Sequence, residues 1–178
     1  MPDFAENIAC APTYLSTLSR YFAKAEEYWA SDGIPASRSS PGANVALYVS
    51  FCIPFTFVAR RAFWGNGTTV SSNKDIGIYS YSGSLIWSSG STAQSGASAL
   101  QYVSISPVVV LTPGRYYLGL SCVSSATTEW GVVIGGAAYL SRAIGIFQEA
   151  SAVPLPATMT PAVRTGTTLT LFGLTSEP

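Results

Sequence analysis

The stretch VALYVSFCIPF, from Val45 to Phe55, decides the fold. Its large apolar side chains stand at every second position, which are Val45, Leu47, Val49, Phe51, Ile53 and Phe55. Because successive side chains of a strand point to opposite faces of a sheet, this alternation predicts a strand with one buried face. Pro54 has no N–H to donate to a neighbouring strand, so we expect this strand to end at a sheet edge or at a bulge.

Short apolar runs continue towards the C-terminus. Further strands are predicted at Phe57–Trp64, Asp75–Tyr81, Ser84–Ser88, Ala99–Ile105, Arg115–Val123, Trp130–Ile134, Ala143–Gln148 and Thr167–Leu174. Turn-forming residues separate the runs, and Ser82-Gly83 within YSYSGSLIW predicts a tight hairpin. Many short strands without a helical pattern between them indicate an antiparallel β-sandwich or jelly roll over residues 45–178.

The sequence before this region has a different period. The segment PASRSSPGAN, residues 35–44, is rich in Pro, Ser and Gly and is predicted to be a linker. On the N-terminal side of this linker, apolar residues recur at intervals of three and four residues. This pattern predicts an amphipathic helix from about Thr13 to Ser31. Residues 1–34 are therefore expected to form an N-terminal arm and helix. The apolar stripe of this helix is the candidate interface: Tyr14, Leu18, Tyr21, Phe22 and Trp29.

This stripe permits two interpretations. It either packs on the sheet of its own subunit or serves as an anchor, or oligomerisation surface, outside that subunit. The linker that separates the helix from the β domain favours the second interpretation.

The chain is poor in charge. Charged residues make up 10% of it, and nine basic residues balance nine acidic ones, whereas soluble domains carry about 25% charged residues. Copies of such a chain repel each other little, so we predict a homo-oligomer, specifically a homotrimer. Nucleic-acid binding is not expected, because Arg60-Arg61 is the only pair of adjacent cations.

A membrane is not expected either, because the best apolar window, Gly131–Phe147, is short and is interrupted by Arg142. The N-terminal sequence MPDFAENIACAPTYL has no apolar core of a secretory signal. The chain is thus expected to be made in a cytoplasm.

No catalytic chemistry is predicted. The chain has no histidine, and its acids are scattered, so we predict no catalytic residues, no metal site, no cofactor and no enzymatic activity. Asp75 and Glu129 are a conceivable carboxylate pair, but nothing in the sequence places them together. We expect Cys10, Cys52 and Cys122 to be reduced thiols, with a Cys52–Cys122 disulfide as the alternative.

The most site-like stretch is FWGNGTTV, residues 63–70. The ring of Trp64, the amide of Asn66 and the carboxylate of Asp75 are a candidate glycan-binding set. The competing interpretation places Trp64 in the core or at a subunit interface and uses Asn66-Gly67 as a turn. Further along, SSGSTAQSGAS, residues 88–98, is a loop of small side chains whose hydroxyls and amide are able to satisfy backbone groups without charge.

Three segments together resemble a recurrent module of tailed-bacteriophage structural proteins. They are FCIPFTF, AFWGNGTTVSSNKDIGIYSYSGSLIWSSGSTAQSGASALQYVSI and LTPGRYYLGLSCVSS, and the resemblance covers about Tyr48 to Ser125. The module carries no catalytic residues. It implies a β-module of the virion, made in the host cytoplasm and exposed on the particle surface.

The resemblance leaves two functions open. The first is a capsid-decorating (cement) protein that stabilises the head, with itself and the major capsid protein or another virion protein as partners. The alternative is a tail- or head-fibre module that binds a host-surface glycan.

Overall fold

The computed structural model describes residues 14–16, 37–39, 42–133, 145–150, 152–166 and 168–178. Within these ranges the regular secondary structure consists of β-strands and includes no helix. In chain order the strands are β1 (Tyr14–Ser16), β2 (Ser37–Ser39), β3 (Val45–Ile53), β4 (Phe57–Gly65), β5 (Asn73–Ser80), β6 (Leu85–Ser88), β7 (Thr92–Ala93), β8 (Leu100–Leu111), β9 (Gly114–Cys122), β10 (Thr128–Val133), β11 (Ile146–Ala150), β12 (Ala162–Val163), β13 (Thr168–Thr170) and β14 (Phe172–Thr175).

The strands pair antiparallel in three sheets. The largest has seven strands in the order β12-β11-β3-β9-β5-β6, with β7 also paired to β5. The second has the order β1-β14-β4-β8, and the third has the order β13-β10-β2. The prediction of a mainly β, antiparallel fold is therefore confirmed for the described residues.

The alternating stretch forms a strand, as predicted, but its first half is buried on both faces, because Ala46 and Tyr48 pack in a second core. β3 pairs with β9 over its whole length, from Val45 opposite Cys122 to Ile53 opposite Gly114. Leu47, Val49 and Ile53 are buried, and the strand ends just before Pro54, whose missing N–H cannot extend the ladder.

The main core lies between the seven-stranded and the four-stranded sheets, so the fold is sandwich-like. Apolar side chains of β3, β5, β9 and β11 pack in one cluster with those of β4, β8 and β14. Each fully buried Leu, Ile or Phe contributes about 1.5–3 kcal/mol relative to an exposed position. Trp64 is among the largest side chains of this core and is fully buried.

A second, smaller core covers part of the outer face of the seven-stranded sheet. Tyr48 and Tyr79 pack there with Ala152, Leu155 and Met159. The segment that supplies the last three residues follows β11 and has no strand period, so no local pattern predicts its position.

The predicted hairpin is confirmed. Ser80 N donates to Ser84 O at 2.9 Å, and Gly83 N donates to Ser80 O at 3.0 Å. Gly83 has a φ of 90°, a conformation that side chains with a Cβ rarely adopt, which explains glycine at this turn.

Some segments differ from their predictions. Tyr14–Ser16, at the start of the predicted helix, form β1 and pair with β14. The rest of that helix, with Leu18, Tyr21, Phe22 and Trp29, lies outside the described residues. Three residues of the predicted linker, Ser37–Ser39, form β2 and pair with β10.

The last predicted strand is divided in two. The division falls at Leu171, because its backbone N donates to Trp130 O at 2.8 Å and its carbonyl oxygen accepts from Gly65 N at 2.9 Å. The chain thus passes from one sheet to the next between β13 and β14.

Cys52 and Cys122 are free thiols, the first exposed and the second buried. Cys122 is paired with Val45 at one end of β3, and Cys52 lies near the other end, opposite Arg115. Seven residues of strand separate these positions by roughly 23 Å. A disulfide needs Cα atoms within about 7 Å, so the alternative of a Cys52–Cys122 bridge is wrong.

Candidate functional site

Asn66 organises one end of the molecule. It follows β4 and is fully buried. Its Oδ1 accepts hydrogen bonds from Trp64 Nε1 and from Gln94 Nε2, both at 2.9 Å. Its Nδ2 donates to Ser95 O at 2.7 Å and to Gln101 Oε1 at 3.1 Å. We call Asn66 and these four partners the Asn66 hub.

The hub holds the serine- and glycine-rich loop, residues 88–98, against the end of the core. Gln101 Oε1 also accepts from Ser95 N at 2.8 Å, and Gln101 Nε2 donates to Ala93 O at 2.8 Å. Thr127 Oγ1 donates to Gln94 Oε1 at 2.8 Å. Neutral side chains outside the loop, those of Asn66, Gln101 and Thr127, therefore hold it in place.

A buried ion pair lies beside the hub. Lys74 Nζ is 3.0 Å from Glu129 Oε1, and the two side chains are 0% and 1% exposed. The ammonium also lies 5.9 Å from the centre of the Trp64 ring, within the range of a cation–π contact. Asn66 and Glu129 are partners in an isolated antiparallel bridge, so the ion pair and the hub share one end of the core.

Arg164 is a third buried charge in this region. Burial lowers the pKa of its guanidinium to about 10, and the negative charge of Glu129 opposes that shift. The guanidinium donates through Nη2 to Thr168 O. Glu129 is therefore the anion that balances two buried cations.

Asp75 fixes two further segments. Its Oδ1 accepts from Ser88 Oγ at 2.7 Å and from Ser89 Oγ at 3.2 Å, and its Oδ2 accepts from Leu155 N at 2.8 Å. The carboxylate is fully buried. It joins the start of the serine- and glycine-rich loop to the segment that covers the outer face of the seven-stranded sheet.

Two buried tyrosines also hold the segment that follows β11, one by bonding to Pro156 and the other through Glu149 and Thr160. Tyr79 Oη donates to Pro156 O at 2.8 Å, and Tyr48 Oη donates to Glu149 Oε2 at 2.8 Å. Glu149 Oε1 in turn accepts from Thr160 Oγ1 at 2.6 Å. The two tyrosine rings meet edge to face with centroids 5.4 Å apart. Burial raises the pKa of Tyr48 and of Tyr79 well above the usual value.

Raising the pH above about 10 is expected to lower the melting temperature, because tyrosines of the unfolded chain ionise there. In the folded state, burial raises the pKa of Tyr79 and keeps its hydroxyl protonated. The stabilisation from this hydroxyl is therefore complete below about pH 10, where unfolded tyrosines are also protonated, and is lost as the pH rises further. Circular dichroism melts between pH 8 and 11.5 measure the decline. Tyr79→Phe should show a shallower decline than wild type. Identical declines in the two proteins would contradict this account.

The candidate glycan residues all lie inside the protein. Trp64, Asn66 and Asp75 are each 0% exposed, and their polar atoms bond to internal partners. A sugar needs an accessible ring face, which Trp64 does not offer here. The competing interpretation of Trp64 as a core residue agrees with the structure.

Asp75 and Glu129 are not brought together. Lys74 and Asp75 are consecutive in β5, so their side chains point to opposite faces of the sheet. Lys74 reaches Glu129 in the core, whereas Asp75 bonds to the segment on the outer face.

Sequence reasoning missed the ion pair and the two glutamines of the hub. The one available signal was a lysine inside the strand NKDIGIYS, whose other core-facing residues are Ile76 and Ile78.

The described surface carries large apolar side chains that are more than a third exposed, namely Tyr81, Ile86, Leu100, Tyr102, Val108, Val110, Val123 and Val163. Four of these eight lie on a single strand, β8. We call that row, Leu100, Tyr102, Val108 and Val110, the β8 edge.

A separate surface is formed by Tyr81, which is 56% exposed. Its ring lies parallel to that of Tyr117, with centroids 5.9 Å apart, and the Arg115 guanidinium is 5.6 Å from its centre. We call these three residues the Tyr81 platform.

In the part of the chain that the structure describes, no three His, Cys, Asp or Glu side chains are grouped so that they would hold a metal ion. The same part contains no helix with the length and hydropathy to cross a membrane. Comparison of the sequence with protein-family models and with curated proteins gives no match.

Proposed function

We propose that this chain is a non-enzymatic structural protein of a tailed-bacteriophage virion, which decorates the head as a cement protein and stabilises it. One observation carries the proposal: four ionisable side chains are buried inside the fold, and a row of large apolar side chains on one strand is exposed. Lys74, Asp75, Glu129 and Arg164 are all buried, whereas the β8 edge is exposed. This distribution suits a protein whose surface is covered by other proteins.

The resemblance to phage structural proteins supports the same proposal. The segments AFWGNG and STAQSG carry much of that resemblance, and they supply Trp64, Asn66 and Gln94 to the Asn66 hub. The residues that carry the resemblance thus include three that hold a loop against the core, as a common β-module would require.

The proposed partners are copies of the chain itself, in a homotrimer, and the major capsid protein or another virion protein. The protein is made in the host cytoplasm and lies on the particle surface. The aromatic stripe with Phe22 and Trp29 is the proposed anchor to the shell, because burying each large aromatic contributes roughly 1.5–3 kcal/mol.

Binding of the full-length protein to phage heads that lack it tests the proposal. Wild type should sediment with the heads, and antibody should label the whole head surface. The double variant Phe22→Ala/Trp29→Ala should bind on the order of 100-fold more weakly, from the loss of two buried aromatics. Ile86→Ala, at an exposed position of the β domain, should bind like wild type. Labelling confined to the tail would refute head decoration.

A second candidate function is a tail- or head-fibre module that binds a host-surface glycan. The Tyr81 platform favours it, because an exposed tyrosine ring offers an apolar face beside the hydrogen-bond donors of Arg115. Glycan-array binding that disappears in Tyr81→Ala would move the protein to this class. Absence of glycan binding together with labelling of the head would exclude it.

A further inference from the structure

We propose that the β8 edge is the surface through which neighbouring copies of this chain contact each other. The inference deepens the proposed function, because it assigns the self-association of that protein to one strand. It is argued from the position of β8, its side chains and its charge.

β8 is the terminal strand of the four-stranded sheet, and within the described residues it pairs with β4 alone. Ala99 O, just before the strand, accepts from Asn66 N at 2.9 Å and so faces the β4 side. Backbone groups of an antiparallel strand alternate in direction, so those of Leu100, Tyr102 and Ser104 face away from β4. Unpaired donors and acceptors of this kind are a template for another chain.

The regular part of this edge is short and well defined. β8 pairs with β4 from Leu100 opposite Gly65 to Ser104 opposite Arg61, and the register then shifts before Val109 opposite Ala59. Pro107 lies within the shift and has no N–H to offer. The segment from Leu100 to Ser104 is therefore the part of β8 that is best suited to accept a strand.

Pro107 and the register shift protect the second half of β8, but the segment from Leu100 to Ser104 has no such protection. Soluble proteins commonly place lysine or another charge on such edges to prevent pairing with other chains. β8, LQYVSISPVVVL, has no charged residue in its twelve positions. Tyr102 and Val110 are 39% and 55% exposed, so the edge combines free backbone groups with accessible apolar area.

The charges identify a second copy as the occupant. Arg61 pairs with Ser104 at the regular segment, and Arg60 beside it is exposed, so the edge has a positive flank. The chain has nine basic and nine acidic residues and no net charge, and β8 itself is uncharged, so a second copy meets this edge without net repulsion. A nucleic acid would need a cationic strand, which β8 is not.

Photo-crosslinking of the full chain tests the inference. Tyr102 is replaced by p-benzoylphenylalanine, which keeps an aromatic ring at the edge, and the protein is irradiated in solution and on phage heads. Covalent adducts at multiples of the 18.7 kDa chain are expected from position 102. The same replacement at Tyr81, which is more exposed but lies on the Tyr81 platform, should give at least tenfold less self-adduct.

Light scattering on substituted proteins provides the second measurement. Leu100→Lys/Tyr102→Lys should reduce the oligomer to the monomer, and Tyr81→Lys should leave the wild-type mass. Melting temperatures show whether each variant is folded. If the lysine variant does not fold, the crosslinking result decides alone.

The outcomes separate this inference from the proposed function. Equal self-adducts from positions 102 and 81, or none from position 102 in solution and on heads, overturn the inference. An adduct from position 102 to a different virion protein also overturns it, although head decoration then stands. Self-adducts from position 102 in a protein that does not bind heads support the inference and refute decoration.

Discussion

Replacing Glu129 with glutamine is expected to lower the free energy of unfolding by about 3–5 kcal/mol. Glu129 is 1% exposed and lies 3.0 Å from Lys74 Nζ, and its charge also acts on the buried Arg164. Glutamine keeps nearly the same volume but removes the negative charge that pairs with Lys74 and acts on Arg164. The cost is that of uncompensated buried charge. Urea unfolding followed by tryptophan fluorescence measures it.

Comparison with variants of Lys74 shows whether charge is the cause. Lys74→Met should cost less than Glu129→Gln, because Glu129 then retains Arg164 nearby. The double variant Lys74→Met/Glu129→Leu should be more stable than Glu129→Gln, since it removes the pair together. Glu177→Gln, at an exposed position near the C-terminus, should change stability by less than about 0.5 kcal/mol. A Glu129→Gln protein as stable as that control would contradict the assigned role.

The part of the fold that the sequence predicts is the part that local patterns encode. Alternation over Val45–Ile53 and the turn at Gly83 depend on neighbouring residues alone, and both agree with the structure. The passage of the chain between sheets at Leu171 depends on Trp130 and Gly65, which are distant in sequence. No local period signals such a change.

The ion pair illustrates the same limit. Lys74 and Glu129 lie in different sheets, on β5 and β10, and neither residue has an unusual neighbour in the sequence. Their meeting follows from how the sheets pack, and the sequence pattern does not contain that information.

At Trp64 and Asn66 the sequence indicates the right residues and leaves their role open. An indole N–H beside a carboxamide is suited to a sugar hydroxyl and equally to an internal hydrogen bond. Burial decides between the two. In the structure the indole N–H donates to the Asn66 amide, with both side chains buried.

Replacing Asn66 with alanine is the second large expected effect, a loss of about 2–4 kcal/mol in the free energy of unfolding, because buried groups left without partners cost about 1–3 kcal/mol each. Trp64 Nε1 and Gln94 Nε2 lose their acceptor, and Gln101 Oε1 loses a donor. Asn66→Asp keeps the acceptor oxygen but loses the donor to Ser95 O and adds a buried charge, so it should be at least as destabilising. Urea unfolding again gives the values.

Asn73→Ala is the matched control for this substitution. Asn73 Nδ2 donates an exposed hydrogen bond to Ser91 Oγ at 2.9 Å, so its loss should cost less than about 1 kcal/mol. The two variants should also differ in proteolysis, because Asn66 bonds to both Gln94 and Ser95 of the loop at 88–98. Under native conditions subtilisin should cut Asn66→Ala in that loop at least tenfold faster than Asn73→Ala or wild type. Equal cleavage rates, with Asn66→Ala destabilised, would mean that the loop is held without the Asn66 hub and that Asn66 acts only within the core.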